Sequence, residues 1–507
     1  MKVRRIHAPL RTAARAWRFI RNAVRPAVEV YPAPADLVAE WDVPVTLRDG
    51  TVLRLNVFRP AGVGPFPVIL SAHPYGKDRI PAHTKSGRSP AFQSRVLPQP
   101  QTVRLSALTS WEAPDPAVWV AEGYAVVNAD LRGGGSSEGV GDLFSDEEAE
   151  DYAEVIAWAG GQPWSTGRVG LDGVSYLAIS QYKVAALQPP HLAAICPWEG
   201  LTDLYRDFGR PGGVREDGFS ILWSRITGKE ARVRTSTREG LLAHPLWDDW
   251  YEARTPDLAR IKVPILVCAS FSDHSLHTRG SFEVFRRAGS RHKRVYTHRS
   301  GKWCAYYGDD ATQARLRFFD WALKGVNNGW PDEPPVRLEV VDEGAAPVSV
   351  THETAWPPED LFWRTLHLDA AAGTVGETAP DADAVARLDS PNGLLAFVWT
   401  ASEDMDLIGP MVLTLSVAVE GGDDATLFVG CRKMRAGREV LFEGSYGFSG
   451  DMMSKGWQRL SHRELDPTLS TPIFPVHAHR RAEPLAPGEV VDVKIALRPH
   501  ATRFRKG

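Results

Sequence analysis

Residues 167–181 read GRVGLDGVSYLAISQ, a short apolar strand, a corner at Gly173-Val174-Ser175-Tyr176, and then text able to open a helix. A serine at such a corner has its hydroxyl lifted above the end of a sheet, where it can attack a carbonyl carbon once a base takes its proton. The strained turn needs small neighbours. Gly173 and Ala178 supply them, although Leu177 stands where the G-x-S-x-G pattern has its second glycine. The plainer reading of Ser175 is a helix cap after a core strand.

The surrounding text supplies the elements that such a corner requires. VPVTLRDGTVLRLNVFRP alternates apolar and polar residues around Asp49-Gly50, a hairpin signal. FPVILSA, YAVVNAD, RVGLDG, VPILVCAS and KRVYTH are solid apolar runs of the kind that a sheet buries on both faces. Between them lie helical stretches such as DEEAEDYAEVIAWAGGQP, with Tyr152, Val155, Ile156 and Ala159 on one face. Strands alternating with helices predict a parallel α/β sheet. Residues 198–258, rich in Trp, Arg and Asp, break that rhythm and predict a helical cap over the strand ends. After the prolines at 331–335 the text turns to short, evenly spaced strands, the signature of an all-β sandwich. The expected organisation is a basic arm at 1–42, an α/β domain at 43–330 and a sandwich at 331–507.

Several stretches together carry a family resemblance: HPYGKD (73–78), ADLRGGGSSEG (129–139), QPWSTGRVGLDGVSY (162–176) and the strand-rich tail. With the elbow G-V-S-Y-L-A they resemble the cocaine esterase and X-Pro dipeptidyl-peptidase group of α/β-hydrolases. The resemblance runs from about residue 43 to the end. It implies an α/β-hydrolase fold with a helical cap, followed by a jelly-roll-like β-sandwich. It also implies an oxyanion hole made by the Tyr176 N–H and the hydroxyl of Tyr75, which follows the strand FPVILSA as Ser175 follows its own.

In α/β-hydrolases the chain order is Ser, acid, His. Asp273, between VPILVCAS and the helical TRGSFEVFRRA, matches the acid's place in the resembled group. That group carries its base in a G-P-W-S-H-like loop, whereas the corresponding text here is SGKWCAYYGDD, with Trp303 retained and Ala305 in the histidine's place. His298, at the end of KRVYTH, is therefore the expected base, with His274 and His277 of SDHSLHTRG as competitors. Those two with Asp273 suggest a metal site only weakly, because no further ligand cluster accompanies them. No metal and no cofactor are expected. Trp164, Trp198 and Trp303 are the expected pocket walls. The glycines of LRGGGSSEG lack the Lys-Ser/Thr of a phosphate-binding loop.

Composition narrows the partners. A net charge of −3 from 59 basic and 62 acidic residues argues against nucleic acid. Four scattered cysteines, Cys196, Cys268, Cys304 and Cys431, form no C-x-x-C pair and fit a reducing, cytoplasmic setting. MKVRRIHAPLRTAARAWRFIRNAVRP spaces Leu10, Ala13, Ala14, Trp17, Ile20 and Val24 as one helical face; it predicts a terminal helix docked on its own protein, with a membrane surface as the alternative. The resembled sandwich commonly continues beyond the point matched by IALRPHATRFRKG, so the resemblance implies a sheet edge there that a second copy or another segment covers.

The expected function is a serine hydrolase acting on a small ester, amide or short peptide through an acyl-enzyme. Within the resembled group, cleavage after proline needs a site for the substrate α-amine and the larger peptidases carry an extra N-terminal domain, where this sequence has a short arm, so the resemblance implies an esterase or acylase in preference to an Xaa-Pro dipeptidyl-peptidase. A non-catalytic binding protein on the same fold is the third reading.

Overall fold

Among the described residues, the apolar runs read as buried strands all belong to one twelve-stranded sheet. The computed structural model describes residues 8–84, 87–90, 92–447 and 450–507. The strands that matter to the site are β1 (Leu37–Thr46), β2 (Val52–Pro60), β3 (Phe66–His73), β4 (Ala125–Asp130), β5 (Ser165–Val174), β6 (Leu192–Trp198), β7 (Ile265–Ser270), β8 (Lys293–His298) and β9 (Val336–Val341). From β4 through β3, β5, β6, β7 and β8 to β9 every neighbour is parallel, while the β1–β2 hairpin adds antiparallel strands at one side. Their carboxyl ends form one rim, where loops can converge on a ligand.

Helices α1 (Ala8–Val24), α2 (Asp146–Gly160), α3 (Tyr176–Leu187), α4 (Phe219–Glu230), α5 (Thr237–Ala243), α6 (Thr278–Arg287), α7 (Lys302–Tyr306) and α8 (Asp309–Lys324) complete the part around the sheet. α2 starts at Ser145, whose hydroxyl accepts from Glu148 N, and buries the face of Tyr152, Val155, Ile156 and Ala159 that its spacing predicts. α3 is buried almost all round, so its register is fixed by packing rather than by amphipathicity. α4 and α5 lie in the stretch expected as a cap.

The C-terminal part is rich in strands: β10 (Pro347–Glu353), β11 (Met405–Val417), β12 (Thr426–Cys431), β13 (Ser454–Arg459) and β14 (Val491–Phe504). The two parts share hydrogen-bonded backbone, because β9 pairs with β8 on one side and with β10 and β14 on the other. β14 is not an open edge. It lies between β9 and a long antiparallel partner, β11, which takes the outer position.

The first seven residues of the basic arm lie outside the described residues. α1 meets the protein through polar groups: Asn22 Nδ2 donates to Ser94 O and Arg95 O, each at 2.8 Å, and Arg18 reaches Glu443 at 3.3 Å. Its apolar residues Trp17, Ile20 and Val24 face solvent, 67, 54 and 75% exposed, so the docking face is the reverse of the one its spacing predicts.

Candidate active site

The corner after β5 is strained as a nucleophile elbow requires. Ser175 has φ 59° and ψ −115°, outside the basins that L residues prefer, a conformation costing roughly 1–3 kcal/mol. Ser175 N donates to Trp198 O on the neighbouring strand, and Ser175 O accepts from Ala178 N and Ile179 N, which locks the turn. Gly173 is required there: its φ is +148°, and a Cβ would lie 2.5 Å from Leu177 Cβ. Leu177 is thus tolerated in the glycine's place because Gly173 leaves room for it.

The histidine that meets Ser175 is His277. Its Nε2 lies 3.4 Å from Ser175 Oγ, and its Nδ1 lies 2.5 Å from Asp273 Oδ2. Leu276, His277 and Thr278 all donate backbone N–H groups to Asp273 O, so Asp273 opens a helical turn leading into α6. Residues four apart on such a turn share a face, which brings carboxylate and imidazole together locally. A carboxylate and a bare ring nitrogen would repel at 2.5 Å, so the proton sits on Nδ1 and Nε2 is left free to accept from the serine.

His298, the base expected from the sequence, is committed elsewhere. It pairs across from Ser270 in the β7–β8 ladder, its Nε2 donates to Glu199 Oε1 at 2.9 Å, and its Nδ1 accepts from Ser300 N at 3.1 Å. Its position at a strand end is as expected, but the side chain turns toward β6 and stacks on Trp198. His274 faces away as well, accepting from Arg299 Nη1 while its carbonyl accepts from Arg498. The legible signal for His277 was the D-x-x-x-H spacing at a helix start.

A buried cation joins this group. Lys302, at the start of α7, has its Nζ 2.9 Å from Asp273 Oδ2, 2.9 Å from His277 Nδ1 and 3.7 Å from Glu199 Oε2. Gln99 Oε1 fixes α7 by accepting from Trp303 N and Cys304 N. Glu199, Asp273 and His277 offer ligand atoms within 4.8 Å of one another, and the Lys302 ammonium already occupies their midst. Burial works against the Asp273 carboxylate, but Lys302 and His277 outweigh it and hold its pKa below the ordinary carboxylate range. Burial and then Lys302 lower the pKa of His277, against the pull of Asp273. Glu112, whose Oε1 accepts from Trp303 Nε1, is pushed by burial up to about 8.

Tyr75 lines the same cavity as Ser175 and interacts with its side chain. Trp223 Nε1 donates to the Tyr75 oxygen at 3.0 Å, leaving the phenolic proton free to donate, and burial keeps the phenol un-ionised. The Tyr176 N–H is the first of a helix and has no acceptor within it. The Tyr176 hydroxyl is tied back to Glu148 Oε2 at 2.5 Å.

The cavity at Ser175 has about 270 Å³ of space and is walled by aromatic and aliphatic residues, among them Phe144, Ile179, Leu201, Phe208, Phe219 and Trp223. None of the three expected tryptophans lines it. Trp164 precedes β5 and therefore sits at the opposite rim of the sheet, against Trp158. Trp198 points to the other side of β6, onto Tyr296 and Tyr306. Trp303 stands beside Trp111 and borders a separate cavity of about 510 Å³ with Val28, Gln99 and Tyr307. That larger space contains neither Ser175 nor His277, so the chemistry belongs to the smaller one.

The strand-rich part reaches into the site. Ser445 N donates to Ser272 O, Lys302 N donates to Ser445 O, and the Tyr446 hydroxyl lies 3.4 Å from Lys302 Nζ. Arg498 Nε holds the carbonyl of His274 at 2.8 Å. The loop that carries Asp273 and His277 is thereby clamped from the C-terminal side.

Comparison with known proteins shows the family. Residues 49–302 match the family model described as X-Pro dipeptidyl-peptidase (S15 family), and residues 328–507 match the X-Pro dipeptidyl-peptidase C-terminal non-catalytic domain. The chain belongs to the S15 family. It has an α/β-hydrolase fold with a strand-rich C-terminal domain. A solved CocE/NonD family hydrolase from Staphylococcus aureus is 38% identical, with a TM-score of 0.88 over 93% of this chain and 84% of that one. Among curated relatives, the cocaine esterase of a Rhodococcus species is 33% identical over 188 residues, which is 37% of this chain and 28% of the relative. A putative Xaa-Pro dipeptidyl-peptidase of Bacillus anthracis is 24% identical over 327 residues, 58% of this chain and 53% of the relative. The matched segments thus span about half or less of these two curated relatives.

Proposed function

We propose that the protein is a serine hydrolase that cleaves an ester or amide of an uncharged, apolar acyl group. The observation that carries this reading is the continuous chain Ser175 Oγ, His277, Asp273, with contacts of 3.4 and 2.5 Å. A 3.4 Å contact is loose, as such contacts often are before substrate binds.

In the proposed reaction Ser175 Oγ bonds to the substrate carbonyl carbon while His277 Nε2 takes its proton. The Tyr75 hydroxyl and the Tyr176 N–H donate to the oxygen that becomes negative. As the carbonyl re-forms, the bond to the leaving alcohol or amine breaks and His277 returns the proton to it. Water then enters by the same route, giving a proton to His277 and its oxygen to the acyl carbon; the bond from that carbon to Ser175 Oγ breaks, and His277 returns the proton to Oγ. Asp273 holds the Nδ1 proton and stabilises the transient imidazolium.

The cavity supports an acyl group over an Xaa-Pro dipeptide. Among the described residues its lining carries no carboxylate to receive a free α-ammonium, whereas Phe144, Tyr176, Phe208 and Trp223 offer an apolar surface. No described helix is long and apolar enough to cross a membrane. We place the protein in the cytoplasm on its cysteines, which are all free among the described residues.

The test is labelling by a fluorophosphonate together with turnover of a panel of p-nitrophenyl esters and Xaa-Pro anilides. Wild-type protein should label at Ser175 and prefer the esters, and Ser175→Ala should lose labelling and about 10⁴–10⁶ in kcat. Full labelling of Ser175→Ala would remove the nucleophile from the scheme, and preference for the anilides would restore the dipeptidyl-peptidase reading.

A further inference from the structure

Lys302 is among the most deeply buried cations in the molecule, with no exposed surface, and it touches both partners of the acid–base pair without touching Ser175. Asp273 Oδ2 accepts from two donors at once, His277 Nδ1 at 2.5 Å and Lys302 Nζ at 2.9 Å. Because the Nδ1 proton belongs to Asp273, the 2.9 Å approach of the ammonium to Nδ1 is not a hydrogen bond to that nitrogen. It is a like-charge contact whenever the imidazole is protonated. At that distance, away from water, a fixed positive charge disfavours a second one strongly.

We propose that Lys302 is a positioning residue of the hydrolysis reaction: it pins the Asp273 carboxylate against His277 and keeps the imidazole in its neutral, proton-accepting form in mildly acid solution. This rests on the reading of Ser175, His277 and Asp273 given above. The pKa of His277 is lowered in agreement, by burial first and by Lys302 next.

The groups that face this cation are few. The turn before α6 contributes Asp273 and His277, the end of β6 contributes Glu199, and the C-terminal part contributes Tyr446, whose ring centroid is 4.6 Å from Nζ. Glu112 and Tyr75 lie within its field, and His298 is joined to it through Glu199. Glu112, with its pKa near 8, is mostly neutral at pH 7. Asp273 and Glu199, both held below their usual range, then set two negative charges beside the one positive charge of Lys302. Removing the ammonium leaves two buried carboxylates that draw a proton onto His277.

The experiment is the pH dependence of fluorophosphonate labelling and of kcat/KM for a p-nitrophenyl ester, in wild type, Lys302→Met and Lys302→Arg. In wild type the acid limb should lie below pH 6.5, the ordinary value of histidine. In Lys302→Met it should move up by about one pH unit or more, leaving activity at pH 5.5 about tenfold lower relative to its own plateau. Lys302→Arg, which keeps the charge, should retain the wild-type limb. An unchanged limb in Lys302→Met overturns the inference while leaving the nucleophile intact. If Lys302→Met does not fold, the wild-type limb decides: at or above pH 6.5 it overturns the inference. Absence of Ser175 labelling at every pH instead overturns the hydrolase reading itself.

Discussion

His277 Nε2 and Ser175 Oγ lie 3.4 Å apart although 102 residues separate them in the chain, while Asp273, which orients the same ring, is only four residues away. The acid–base pair is therefore a local product of one helical turn. Its meeting with the serine depends on the long-range alignment of β5 with β7 through β6.

That division gives the two histidines opposite fates under mutation. His277→Ala should cost nearly as much turnover as Ser175→Ala, because groups that act as a unit do not contribute additively. His298→Ala should leave kcat within about tenfold of wild type but lower stability by roughly 1–3 kcal/mol, since Glu199 loses a buried donor. Steady-state kinetics and urea unfolding of the two variants check this, and the reverse order of effects would return the base to His298.

Tyr75→Phe should lower kcat by about 10²–10³ with little change in KM, the effect of removing one donor aimed at a developing oxyanion. The same substitution deprives Trp223 Nε1 of its acceptor, so the variant's Trp emission should change even without substrate. A loss confined to KM would make Tyr75 a binding residue only.

Glu112 makes stability depend on pH. Its folded pKa of about 8 is above the ordinary 4.5, so the folded protein holds a proton that the unfolded chain has released. The associated stability is complete below about pH 4.5 and is lost as pH rises toward about 8. Glu112→Gln should flatten unfolding free energy between pH 6 and pH 8 by on the order of 2 kcal/mol. Equilibrium urea unfolding at the two pH values measures it; an equal slope in both proteins would contradict the assignment.

Much of the scaffold was legible because its signals are local. Five apolar runs located the strand ends, and so located Ser175, Asp273 and Tyr75 on one rim. His277 was obscured by its neighbourhood: three histidines follow or flank one acid, and chain order alone does not say which ring turns inward. The direction of His298 is settled by Glu199, whose approach from β6 is a tertiary fact. The tryptophans misled for a related reason, since a large aromatic beside a strand end packs under the sheet as readily as over it. α1 shows the limit of periodicity, which identified the apolar face of the helix but not whether that face turns inward.

The clamp of Ser445 and Arg498 on the Ser272–His277 loop, with Tyr446 against Lys302 beside it, has a consequence for the chain as a whole. A domain that supplies no reacting atom nevertheless constrains the shape of the segment that does, so the two halves of the chain are not freely exchangeable modules. Drift in one loop of the strand-rich half is felt at the base of the other half. Replacing the strand-rich half of this chain would then preserve the chemistry only where the grafted half brings matching anchors for that loop.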